Sequence, residues 1–270
     1  AGYGARRCPL LRKQIGRTSL AIRAHGLVDD LHVDGPAARA GRPLDGVLDD
    51  AALEQHFGTT ELDGLRRPRT VQIVSGIRGG KSALAACAGI HAGLTADLSA
   101  LKQHEVPRVA IVAPGVDAAR ATFTLLVGFL SASPIPINSG EGEPTADSVM
   151  LRRHDGRRVE IVVVAAHRGG LSFRNRWLCA FVLDEVAQFG AEASGAVVNA
   201  EEMLRAGEGR LVPGGQGWLI SSPYGRTGLL HDLHRRHFGS PGDVLVVHAP
   251  TRALNPSFPQ ETIDAIRLRD

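Results

Sequence analysis

The sequence predicts an α/β fold: a doubly wound, mainly parallel sheet with a helical region ahead of it. Three observations carry that prediction. Short, β-branched apolar runs of four to seven residues recur from residue 67 onward. Stretches of helical length and composition separate them. A glycine-rich turn joins the first such run to the first such helix. Continuous apolar runs suit strands buried on both faces, as in a parallel sheet. Their alternation with helices supplies the winding.

Taken in order, residues 1–66 read as a separate helical and linker region. Pro9 to Val28 mixes apolar and basic residues at loose helical spacing, and Gly35–Asp50, rich in Gly, Pro and Asp, reads as a loop. Ala51–Phe57 reads as a short helix. Strands are predicted at Val71–Val74, Val109–Ala113, Val159–Ala165, Phe181–Leu183, Trp218–Ile220 and Val244–Val247. Helices are predicted at Ser82–Leu94, Val116–Leu130 and Ala193–Ala206. In Val116–Leu130, Phe123 and Phe129 are expected in the core rather than in a binding box. Pro134–Thr145 reads as a loop or hairpin connection. Asn255-Pro256 and Pro259 mark the tail as a linker, which bounds the sheet domain at 67–255 and leaves 256–270 outside it.

Composition narrows the function classes. With 43% hydrophobic and 22% charged residues, the chain is an ordinary globular mixture and not a disordered one. Three cysteines, Cys8, Cys87 and Cys179, lie far apart and form no CxxC, which argues against a disulfide framework or a cysteine zinc site. No apolar run reaches the roughly 18 residues that span a bilayer. Arginines break the N-terminal apolar stretches, so no signal peptide or membrane partner is expected and the cytosol is the default compartment. The net charge is only +3, but it is unevenly spread. Residues 1–28 hold six basic residues and no acid, and 29–63 hold nine acids against two arginines. Residues 151–176 hold seven arginines against Asp155 and Glu160. Two basic blocks point to phosphate or nucleic-acid contacts; charge alone equally fits solvated faces paired with the acidic stretch.

The motifs say more. Ser75, Gly76, Ile77, Arg78, Gly79, Gly80, Lys81 and Ser82 follow a predicted strand and open a predicted helix. That is the arrangement of a phosphate loop, in which backbone N–H groups and a helix N-terminus face the phosphates. Lys81 is then placed to reach the β- and γ-phosphates of ATP, and the Ser82 hydroxyl to bind Mg²⁺. One position departs from the general pattern: Ser75 stands where a glycine is usual. A second motif, Cys179 to Glu185, is a buried run ending in Asp-Glu. Asp184 at its end fits a Mg²⁺ ligand and Glu185 a carboxylate that orients the attacking water. A third, Trp218-Leu-Ile-Ser221-Ser222-Pro223, ends the next strand in small hydroxyl residues, where motor ATPases sense the γ-phosphate. A fourth is the stretch Arg168 to Arg176, from which Arg174 is the candidate for an arginine finger, expected on a loop at the sheet's C-terminal edge. His231, His234 and His237 have helical spacing, but no cysteine or acid cluster supports metal binding there. Together these place the chain among P-loop NTPases of the ASCE, RecA-like division.

The ordered set resembles the large terminase subunit of tailed bacteriophages, the ATPase that packages DNA. The resemblance runs over about residues 67–256. It rests on Ser75–Ser82 with Arg78 inside the loop, on Val109–Pro114 followed by Ala118-Ala119, and on Arg174 about ten residues before Asp184. It rests further on Val182–Phe189, Ser221-Ser222-Pro223 and Ala249–Pro256. The resemblance implies that Lys81 and Ser82 bind phosphate and Mg²⁺, that Asp184 binds Mg²⁺, and that Glu185 is the catalytic carboxylate. It implies that Ser221 and Ser222 couple hydrolysis to movement, and that Arg78 or Arg174 supplies the finger, Arg174 into a neighbouring subunit of a homo-oligomeric ring. Double-stranded DNA, a portal protein and a small terminase subunit are the implied partners, in the cytoplasm of an infected or lysogenic bacterial host. The family usually adds a C-terminal nuclease; with the chain ending at Asp270, none is assigned. A helicase-like or AAA-type ATPase acting on nucleic acid is the alternative reading.

Overall fold

The computed structural model describes residues 49–62, 67–133, 145–164, 166, 173–189 and 199–268. The basic block 1–28, the connection 134–144, Arg168 and most of the stretch 190–199 lie outside the described residues.

Seven strands form one sheet: β1 Thr70–Ser75, β2 Arg108–Val112, β3 Ser148–Arg152, β4 Arg158–Val163, β5 Leu178–Asp184, β6 Leu211–Ser221 and β7 Val244–Ala249. Their order across the sheet is β3-β4-β2-β5-β6-β1-β7. Every pairing is parallel except β3 with β4. The helices are α1 Asp50–Phe57, α2 Lys81–Thr95, α3 Val116–Ser131, α4 Ala200–Glu208, α5 Gly228–His237, α6 Thr251–Leu254 and α7 Gln260–Arg267. The fold is therefore the α/β, RecA-like arrangement that the sequence predicts.

Burial explains why the central runs read so clearly. All of β5 and all of β1 are buried, as a strand covered on both faces must be. Val182 faces a core of α1, α2, β1 and β7 residues, while Phe181 and Leu183 face a second core with Met203, Leu204, Leu230 and Leu233. The Phe181 ring comes so close to its neighbours that glycine is required beside it. A Cβ at Gly207 would fall 2.7 Å from the ring, and one at Gly217 would overlap it.

Three features differ from the sequence reading. The strand β3 was not predicted, because only Val149 and Leu151 are buried and the run alternates. Alternation is what an antiparallel edge strand shows, not a doubly covered one. The tail also forms helices α6 and α7 rather than plain linker. Finally, α1 is part of the sheet domain: Leu53 and Phe57 are buried in the core with Val71, Leu245 and Val247. His56 Nδ1 lies 3.0 Å from His248 O on β7. The boundary at 66/67 thus cuts through a packed unit.

Sheet order sets the site. Strand β6 lies between β1 and β5, with Val74 opposite Ser221 and Asp184 opposite Ile220. Parallel strands end together, so Ser75, Asp184 and Ser221 reach the same edge, where open α/β sheets bind ligands.

Candidate active site

The loop between β1 and α2 begins with the buried Ser75 and closes on the left-handed Gly80, at φ 87°. Such a φ is easy only for glycine. Arg78 is also left-handed, at φ 58°, although it carries a side chain. The Gly79 N–H turns inward to Gly76 O at 3.3 Å. The Ser75 hydroxyl is buried without a hydrogen-bond partner and packs against Gly79, where an added Cβ would strike it. Ile77, at the loop's tip, is 67% exposed.

Lys81 opens α2 and is 94% buried by its 6% exposure. Its ammonium donates to Ser75 O at 3.1 Å, Gly76 O at 3.0 Å and Ser222 Oγ at 3.0 Å. Burial lowers its pKa, opposed by the nearby Glu185 and Asp184 carboxylates. The lysine thus ties the loop to the end of β6.

Asp184 ends β5 and is also buried. Two hydroxyls converge on its Oδ2: Thr122 Oγ1 donates at 2.5 Å and Ser82 Oγ at 3.4 Å. Burial raises the Asp184 pKa; the Thr122 hydrogen bond opposes that rise, and Glu185 adds to it. Glu185 takes a left-handed turn, φ 51°, straight after the strand. A left-handed carboxylate residue is uncommon and belongs to the strained positions that gather at functional sites. The turn aims Glu185 at the neighbouring strand end. Ser221 Oγ lies 3.2 Å from Glu185 Oε2 and Ser222 N 3.5 Å from it. The same Ser221 hydroxyl accepts from Ala187 N at 3.2 Å.

These contacts bring together Ser75–Ser82, Asp184, Glu185, Ser221 and Ser222, which the sequence singled out separately. Thr122 is a member that sequence reasoning missed, as are Thr251 and Asn255, which contact the loop from behind. A metal would meet a sparse donor set. Among the described residues no group of three or more His, Cys, Asp and Glu gathers as a metal site, the α5 histidines included. Ser82 and Asp184 offer oxygen only, which suits Mg²⁺, a cation held by one or two protein oxygens with phosphates and water.

Arg174 is not at this edge. It precedes the N-terminal end of β5, where Trp177 O accepts from Arg108 N at the start of β2. Asp184 is at the other end, roughly 20 Å along a seven-residue strand. The expectation of a loop at the C-terminal edge is corrected: Phe173, the residue before Arg174, packs its ring 5.4 Å from that of Phe181. Arg78 alone of the two finger candidates belongs to the chain's own phosphate loop.

The arginine block 151–176 is partly structural. The β3–β4 turn sits over the C-terminal end of α2. Arg153 is buried and donates to Gly93 O at 3.1 Å and Ala96 O at 2.9 Å. Arg157 donates to Leu101 O and Lys102 O. The Arg153 guanidinium satisfies carbonyls that the end of α2 leaves open, and Arg157 satisfies those of the turn that follows. They do not form a free basic face.

No family model and no curated protein matches the sequence. Solved structures do match the fold. The large terminase of a thermophilic bacteriophage, in complex with ADP, superimposes with a TM-score of 0.53 at 14% identity, covering 77% of this chain and 46% of that one. A second crystal form of that phage's large terminase gives 0.52 at 13% identity, with 77% and 47% covered. The large terminase ATPase domain of a Thermus phage gives 0.48 at 17% identity, with 82% and 92% covered. This chain spans less than half the length of the first two. The likeness is one of fold. Among the described residues no helix is long and apolar enough to cross a membrane.

Proposed function

We propose that the chain is an ATP-hydrolysing motor domain of the large-terminase kind, which moves double-stranded DNA into a phage procapsid. One observation carries the reading. Lys81 and Ser82 of a phosphate loop, Asp184 and Glu185 of one strand end and Ser221 and Ser222 of another form one hydrogen-bonded cluster. A phosphate cradle alone would bind nucleotide; a cradle joined to an oriented carboxylate pair supports turnover.

In this reading the loop N–H groups and Lys81 take the phosphates, and the lysine exchanges its carbonyl partners for phosphate oxygens. Ser82 and Asp184 would hold Mg²⁺, which would supply charge neutralisation at the phosphates. Thr122 fixes the Asp184 carboxylate. Glu185 orients the attacking water and accepts its proton. Ser221 and Ser222 hold Glu185, and Ser222 also touches Lys81, so departure of the γ-phosphate is felt at the end of β6. The finger is Arg78 acting in its own subunit or Arg174 acting in a neighbouring subunit of a homo-oligomeric ring. The portal protein and small terminase subunit are the proposed partners, in the cytoplasm of the bacterial host.

The test is ATP turnover with and without double-stranded DNA. Turnover that needs Mg²⁺, rises with DNA of any sequence and vanishes in Lys81→Ala supports the reading. DNA binding is expected to weaken steeply with salt, because neutralised phosphates release counterions. Stimulation by RNA and not by DNA would favour the helicase-like alternative.

A further inference from the structure

The chain that leaves the last strand returns to the back of the phosphate loop. Thr251 Oγ1 donates to Ile77 O at 3.1 Å, and Asn255 Nδ2 donates to Arg78 O at 2.9 Å. The Asn255 amide has a set orientation, because Ser257 Oγ donates to its Oδ1 at 2.6 Å and leaves the nitrogen facing the loop. Asn255 N donates to Thr251 O at 2.8 Å, so one short turn, α6, carries both side chains. The fit is close: a Cβ on Gly76 would collide with Thr251 Oγ1.

In a planar trans peptide the carbonyl and the following N–H point to opposite sides of the chain. Holding Ile77 O outward therefore turns the Arg78 N–H inward. Holding Arg78 O outward turns the Gly79 N–H the other way, and that N–H donates to Gly76 O at 3.3 Å across the turn until a phosphate oxygen takes its place. Inward N–H groups are what a phosphate requires. The clasp also holds Arg78 in the left-handed region that its side chain disfavours. Arg252 Nη1 donates to Gln260 Oε1 at 3.0 Å, joining this turn to α7.

We propose that Thr251 and Asn255 are positioning residues: they clasp the phosphate loop through two carbonyl oxygens, preset its inward N–H groups for a nucleoside diphosphate or triphosphate, and tie α7 to the loop's occupancy. The proposal rests on reading the loop as a nucleotide site.

The experiment measures binding of N-methylanthraniloyl-ADP with Mg²⁺ by fluorescence anisotropy, on the full 270-residue chain. Asn255→Ala and Thr251→Val are each expected to weaken binding about 5–10-fold, the effect of losing one such hydrogen bond. Thr251→Ser keeps the hydroxyl and the parent affinity. Asn255→Asp sets a carboxylate against Arg78 O and binds no better than Asn255→Ala. Amide exchange supplies a second readout that a merely structural role would not move: ADP slows exchange across 251–267 in the parent and not in Asn255→Ala, at equal melting temperature. Parent-like affinity in Asn255→Ala overturns this proposal and leaves the nucleotide reading standing. A parent that binds no ADP overturns both.

Discussion

Thr122 donates its hydroxyl to Asp184 Oδ2 across 2.5 Å, although 62 residues separate the two in the chain. The threonine stands on α3 at 1% exposure, so water cannot replace it. With Ser82 it fixes the orientation of the carboxylate through Oδ2. Thr122→Val keeps the shape and deletes the donor, at a cost of about 1–3 kcal/mol for a buried acceptor left short. The Mg²⁺ concentration for half-maximal nucleotide binding should rise about tenfold, and Thr122→Ser should restore it. An unchanged Mg²⁺ titration in Thr122→Val would remove the threonine from the site.

Asp184 is held at the site against its own stability. Burial pushes its pKa up, and the hydrogen bond from Thr122 offsets this only in part. The folded chain therefore keeps that proton to higher pH than the unfolded chain. The stabilisation is present at low pH and is lost as pH rises from about 3.9 through the raised value. Asp184→Asn removes the slope. At neutral pH its melting temperature should rise by about 2–4 °C while Mg²⁺-dependent binding is lost. A lower melting temperature would mean that the carboxylate's pairing outweighs its burial.

Arg153 carries the opposite kind of role. Its guanidinium covers Gly93 O and Ala96 O at the end of α2, from the β3–β4 turn. Arg153→Ala leaves both carbonyls short in a buried setting, at about 2–4 kcal/mol. Thermal denaturation should show a loss of about 5–10 °C, with nucleotide affinity below the new melting temperature unchanged. A stable variant with weakened DNA binding would instead return Arg153 to the basic-face reading.

The sequence and the structure agree wherever the signal is local. A phosphate loop is contiguous, Leu178–Leu183 of β5 and Val244–Val247 of β7 are unbroken apolar runs, and Val71–Val74 of β1 is broken only by the buried Gln72. Glu185 and Asp184 are legible because they end such a run. The misses are contacts made across the sheet. Thr122 sits beside Phe123 on a helix whose apolar spacing satisfies a core reading, and nothing local marks its hydroxyl. Asn255-Pro256 reads as a linker, since proline stops structure there; that its amide reaches 177 residues back to Arg78 is set by β7 lying beside β1. Arg174 was placed at the wrong edge because spacing along the chain does not say on which side a connection crosses. Among the described arginines of 151–176, Arg153 and Arg157 cap carbonyls while Arg152, Arg174 and Arg176 are exposed, and a count of charge does not separate them.

The position of Arg174 sharpens the finger proposal. It lies at the far end of β5 from Asp184, so if it is the finger it acts in a neighbouring subunit and its effect depends on assembly. ATP turnover should rise more than linearly with protein concentration, and Arg174→Ala should lose that rise yet still bind ATP. Mixing Arg174→Ala with Lys81→Ala should recover part of the activity, since each supplies what the other lacks. Mixed, assembled variants that stay inactive would leave Arg78 as the finger.

The central claim is that Glu185, held by Ser221 and Ser222, activates water at a nucleotide gripped by Lys81. Single-turnover hydrolysis of radiolabelled ATP by Glu185→Gln measures this most directly. The substitution keeps the size of the side chain and removes the charge that takes the proton. ATP affinity should stay within about twofold of the parent, and the hydrolysis step should slow by about 100-fold or more, the usual contribution of a positioned general base. Hydrolysis at the parent rate in Glu185→Gln, with Lys81→Ala inactive, would contradict the account.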